Sequence, residues 1–139
     1  MKAELFNRLK YQLELHEGRK NKPYKDTVGK ITIGIGRNLS DVGVSNVEID
    51  AMLLNDVIRV EKDLDMYLNW WKDKPDNVKL VLLDMCFNLG ISGLLKFKNT
   101  LDHIKNSQYN ESAEEMLKSK WAAQVGKRAV TLSNMLKNG

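Results

Sequence analysis

The chain has 139 residues, 42% of them apolar and 29% charged, with a formal net charge of +4. That is enough for one domain of one or two lobes with a core of its own. The mild basic excess favours anionic partners without choosing among nucleic acid, anionic lipid and bacterial wall polymer. A single cysteine, Cys86, excludes an internal disulfide and a cysteine-based zinc site, and His16 and His103 are too few and too far apart for a metal centre.

Leu5, Phe6, Leu9 and Leu13 recur at helical spacing, and Gly18 is a natural terminator. The spacing predicts a helix over 3–16 with Glu17 at its C-terminal end. The interleaved acids make this segment unlike a signal peptide, and no run is expected to reach transmembrane length. Glycine then appears at 18, 29, 34, 36 and 43, and Pro23 stops any helix nearby. Ile31, Ile33 and Ile35 alternate with Thr32 and Gly34, the period of a half-buried strand. Tyr24 and Lys25 can pair with it across a turn at 26–29. This predicts a small β-rich lobe over 18–44.

Ser45-Asn46-Val47-Glu48 is a capping box. Behind it Ile49, Met52, Leu53, Val57, Val60, Leu64 and Tyr67 form one apolar stripe, which predicts a long linking helix over 46–68. After Pro75 the pattern is helical: a very apolar helix over 78–89, capped by Asp76 and ended by Gly90, then segments near 93–106, 110–119 and 127–137. Cys86 reads as a small core residue, and Trp70, Trp71 and Trp121 chiefly as core. The expected fold class is α+β: the β-rich lobe, the linking helix, and a helical lobe of 69–139 plus the helix over 3–16, with a cleft between lobes.

Two acids and a hydroxyl stand out around the strand. A carboxylate is disfavoured at the negative end of a helix dipole, so Glu17 is oddly placed for structure and well placed for a group that must hold a proton. A solvated side chain in a frayed last turn is the plain alternative. Asp26 fits the first position of a type I turn with Gly29 at the fourth, or else a base that activates water. Thr32 either simply suits a strand or, if the isoleucines face the core, points its hydroxyl the other way, where it can hold a water.

The pattern Glu17-Gly18, seven residues, Asp26-Thr27-x-Gly29, two residues, Thr32-Ile33-Gly34-Ile35-Gly36 resembles the phage-type lysozymes, the muramidase endolysins of tailed bacteriophages. Asn88-Leu89-Gly90, Gly93, Phe97–Leu101, Lys118–Trp121, Gln124 and Arg128-Ala129 extend the likeness over nearly the whole chain. The resemblance implies a lysozyme-like fold. It also implies hydrolysis, with inversion, of the β-1,4 bond between N-acetylmuramic acid and N-acetylglucosamine. Glu17 falls on the family's proton donor, Asp26 on its second carboxylate and Thr32 on its catalytic threonine. Phe87 and Thr100 fall on substrate positions, and Arg128 on an arginine that pairs with the catalytic glutamate. Arg37 replaces a frequent histidine, and Glu115 a polar neutral residue assigned to substrate.

No metal or organic cofactor is implied. The expected partners are peptidoglycan and a holin for release, with no nucleic acid, and the chain is expected to be a monomer. The expected location is the host cytoplasm, then the periplasm or wall. The rivals are a lytic transglycosylase, which needs no Asp-bound water, a non-catalytic wall-binding module, and a basic nucleic-acid binder, for which no motif speaks.

Overall fold

A computed structural model describes all 139 residues. The elements in order are α1 (Ala3–Glu17), β1 (Lys20–Lys25), β2 (Ile31–Gly34), β3 (Arg37–Asn38), α2 (Asn46–Tyr67), a 3-10 turn (Trp71–Asp73), α3 (Asp76–Leu94), α4 (Lys98–Lys105), α5 (Tyr109–Leu117), α6 (Lys120–Val125) and α7 (Lys127–Lys137). The α+β class is as expected. The chain divides into two compact units, residues 1–51 and 52–139. The boundary falls inside α2, and the first unit holds α1 together with the sheet. Helix α1 runs through Gly18 straight into β1.

In the first unit the strands form an antiparallel sheet in the order β1-β2-β3. Tyr24 pairs with Thr32 and Lys25 with Ile31, as the turn predicted. The register slips between Lys20 and Tyr24, around Pro23, whose missing N–H suits the irregular edge of a sheet. The turn closes through the Gly29 N–H on the Asp26 carbonyl at 3.0 Å. The two-residue strand β3 lacks a visible period and was not foreseen. Its Asn38 pairs with Thr32 across β2.

On β2 it is Thr32, not the isoleucines, that is fully buried, so the condition for its hydroxyl to point away from the covered side is not met. Thr32 is 3% exposed and Ile31 46%. Thr32 lies on the central strand between Tyr24 and Asn38, and its hydroxyl donates to the Lys30 carbonyl at 3.0 Å, so nothing polar is stranded by its burial.

The capping box before α2 forms as read. The Ser45 Oγ accepts from the Glu48 N–H at 3.2 Å, and Glu48 Oε1 accepts from the Ser45 N–H at 2.8 Å. The second unit is built around α3. Val78, Val81, Leu82, Met85 and Cys86 follow helical spacing and are each buried to 2% exposure or less. They join Val60 and Leu64 of α2, Ala113 and Met116 of α5, and Leu132 and Leu136 of α7 in one core. Cys86 is the small core residue expected, and burial pushes its thiol pKa up. Trp71 and Trp121 are buried, each indole N–H donating to a polar side chain, Asp65 and Asn88.

Helix α3 corrects two readings. Asp76 is its first helical residue and Pro75 the cap position, so Asp76 pairs with Lys79 at 3.1 Å and does not cap by side chain. At 19 residues and mean hydropathy 1.3, α3 is also long and apolar enough to cross a membrane, a length no run was expected to reach. Gly90, at φ 74° and ψ 164°, breaks it, and its apolar face is the protein core. The break is where Gly90 was expected to end the helix. Helix α6, six residues ending at Gly126, was missed because so short a segment shows no period.

Candidate active site

Glu17, Asp26 and Thr32 all lie in the first unit, on the path α1–turn–β1–turn–β2. Glu17 ends α1, and the Gly18 N–H closes the helix on the Glu14 carbonyl at 2.8 Å. Gly18, at φ 77°, allows the chain to turn away at once, a conformation costly for residues with a Cβ. The Glu17 side chain is exposed and reaches across to Gly36, beyond the end of β2.

Asp26 and Thr32 are joined through the peptide units that flank one residue, Lys30. The Lys30 N–H donates to Asp26 Oδ1 at 2.8 Å, and the Lys30 carbonyl accepts both the Asp26 N–H at 2.9 Å and the Thr32 hydroxyl at 3.0 Å. Asp26 Oδ1 takes a second bond from the Val28 N–H at 2.9 Å. One carboxylate oxygen is thus committed to the turn, which orients the other. The type I turn and the base were offered as alternatives for Asp26; the turn geometry is present and leaves Oδ2 with no hydrogen bond from the protein. Such an oxygen can accept a proton from water.

Next to this set stands a clamp that the sequence only half disclosed. The Arg37 guanidinium grips Glu48 with two nitrogens, each at 2.8 Å, and donates to the Gly43 carbonyl at 3.0 Å. Arg37, the departure at the histidine position, thereby ties β3 to the start of α2. The Arg37 bonds, then the Ser45 N–H, hold the Glu48 carboxyl down to about 2. The capping box announced Glu48; nothing in the sequence announced its partner.

The other three site residues lie in the second unit, in two places. Phe87, 47% exposed, and Arg128 line a groove of about 360 Å³ with Leu53, Val57, Leu80 and Leu83. Within the second unit Arg128 pairs with Asp84, one helical turn before Asn88 on α3, at 2.7 Å. Asp84 lies within reach of the start of α7, and the Arg128 Nε bonds the same oxygen at 2.8 Å. Thr100 is buried and contributes to a second groove of about 780 Å³, beside Phe97, Glu115 and Trp121. Phe97 meets Trp121 edge to face at 5.9 Å. Glu115 there is within 3.5 Å of Lys118 and of the Asn99 amide.

The sequence model of the phage lysozymes matches residues 14–137 of this chain. Two proteins of Dictyostelium discoideum, a probable T4-type lysozyme 1 and a probable T4-type lysozyme 2, are 28% and 27% identical over 94% of both chains. A SAR-endolysin of bacteriophage PS119 is 26% identical over 81% of this chain and 66% of its own. A match over nearly the full length, with the fold just described, means that the chain belongs to the phage lysozyme family. It is a peptidoglycan-cleaving glycoside hydrolase of the lysozyme type.

Proposed function

We propose that the chain cuts the β-1,4 bond between N-acetylmuramic acid and N-acetylglucosamine by acid–base catalysis with inversion, and that it does so in bacteriophage-driven lysis of a host cell. Glu17 protonates the leaving glycosidic oxygen. Asp26 Oδ2 accepts a proton from the attacking water, and Thr32 helps place that water. The leaving sugar departs with the Glu17 proton, and water supplies the hydroxyl at the new reducing end. The developing oxocarbenium charge is stabilised by the Asp26 carboxylate. Phe87, Thr100 and Arg128 are proposed as saccharide contacts.

The observation that carries this reading is the Lys30 backbone. It locks the Asp26 carboxylate and the Thr32 hydroxyl into one hydrogen-bonded turn while leaving one carboxylate oxygen open. A base and a water-positioning hydroxyl need such fixed relative placement.

The test is digestion of purified peptidoglycan by wild type, Glu17→Gln and Asp26→Asn, with analysis of reducing ends and anomers. Inversion gives the α-anomer and a product heavier by one water. A 1,6-anhydro product would make the chain a transglycosylase, and wild-type lysis by Glu17→Gln would make it a wall binder.

The phage role draws support from the family and from the PS119 relative. It implies accumulation in the host cytoplasm as a monomer, then passage to the wall through a holin. Expression inside a Gram-negative host tests this: lysis should follow only when the inner membrane is permeabilised. A second reading, a lysozyme working outside any phage cycle, is favoured by the Dictyostelium relatives and their fuller coverage.

A further inference from the structure

We infer that Gly36 is a positioning residue for Glu17: the absence of a side chain at position 36 sets where the proton donor rests. This rests on the catalytic reading of Glu17 above. A Cβ placed on Gly36 would lie 2.8 Å from Glu17 Oε2, 2.9 Å from its Cδ and 3.0 Å from its Cγ. The carboxyl therefore lies directly on the bare backbone that follows β2. No hydrogen bond or ion pair from the first unit's other side chains fixes it; Arg19, the cation nearest along the chain, is taken by Glu14 at 2.9 Å. The space left by the missing side chain at 36 is what the carboxyl occupies.

Two demands on residue 36 must be separated. Its φ is +68°, which by itself favours glycine. Gly34 supplies the comparison: it has φ +69°, stands two residues away on the same strand path, and has no atom within 4 Å of a built Cβ. At both positions the positive φ disfavours alanine. Only at 36 does the methyl also displace the carboxyl. Glu17 is exposed and flexible, so it can swing aside at little cost to folding. The loss falls on chemistry instead of stability, because a misplacement of about 1 Å in a reacting group can cost about 100-fold in rate.

The experiment compares wild type, Gly34→Ala, Gly36→Ala, Gly36→Asn and Glu17→Gln on soluble uncross-linked glycan strands, with melting temperature, kcat and KM for each. Carbon-13 labelling of glutamate reports the Glu17 carboxyl directly. Both alanine variants should lose similar melting temperature. Gly36→Ala should fall about 100-fold in kcat relative to Gly34→Ala, with KM little changed and the Glu17 carboxyl resonance moved. Gly36→Asn, which tolerates positive φ but still carries a Cβ, should recover melting temperature and not kcat. Equal kcat in Gly34→Ala and Gly36→Ala, with Glu17→Gln inactive, would overturn the positioning role and leave the catalytic reading standing. An active Glu17→Gln would overturn both.

Discussion

Residues 1–51 contain one buried residue, Thr32, while residues 52–139 contain the entire apolar core. The proposed catalytic set is nevertheless on the poorly buried side. What holds it is a three-stranded sheet, the carboxylate-capped turn at Asp26, an arginine clamp and glycines at positive φ. The second unit is held by close packing along α3, α5 and α7. The two regions teach that rigidity at a site can come from backbone hydrogen bonds, each contributing about 1 kcal/mol, and does not require the packing that makes a fold stable.

That contrast can be broken by substitution. The largest expected effects are in the first unit and on rate alone: Glu17→Gln and Asp26→Asn should each cut kcat by about 10²–10⁴-fold or more, with melting temperature nearly unchanged. Equal losses of stability and rate would merge the two regions into one. In the second unit Leu82→Ala, at a fully buried position, should cost about 2–5 kcal/mol in denaturant unfolding and leave kcat intact at temperatures where the protein is folded.

Thr32→Val, similar in shape but lacking the hydroxyl, should remove about 1 kcal/mol and lower kcat as well. It is the one proposed catalytic position that is also buried. Glu48→Gln should weaken the first unit in a pH-dependent way. The folded carboxyl sits at about 2, below its ordinary value of about 4.3. Its stabilising contribution is therefore present above about 4.3 and is lost as pH falls through about 2. Melting curves of wild type and variant should differ at pH 7 and converge near pH 2. The smallest effect concerns the net charge of +4: lysis of intact cells should slow as salt rises, while soluble glycan cleavage changes less.

The helices were largely legible in the sequence. The stripe from Ile49 to Tyr67 and the capping box fixed α2 to within a residue at either end, and α7 began at the expected Lys127. Short pieces escaped, β3 and α6 among them, because two or six residues carry no measurable period. The covered face of β2 was left open because alternation says which residues share a side and not which side is covered. For the proposed site, Glu17, Asp26 and Thr32 stood out as side chains in a recognisable spacing. Arg37 was noticed only as an anomaly, because pairing with Glu48 eleven residues away follows from a turn and not from a pattern. For Arg128, nothing in the sequence announced the partner on its own unit, Asp84.

The link between Asp26 and Thr32 is made by main-chain atoms, so the identity of residue 30 is almost immaterial to it. Lys30 uses its own amine elsewhere, on Asp41 at 3.2 Å. A catalogue of invariant letters across relatives could pass over this position entirely. Only proline, which has no amide proton to give, should be forbidden there. The part of the proposed site that most directly couples the two groups is thus written in an alphabet that residue-by-residue comparison does not read.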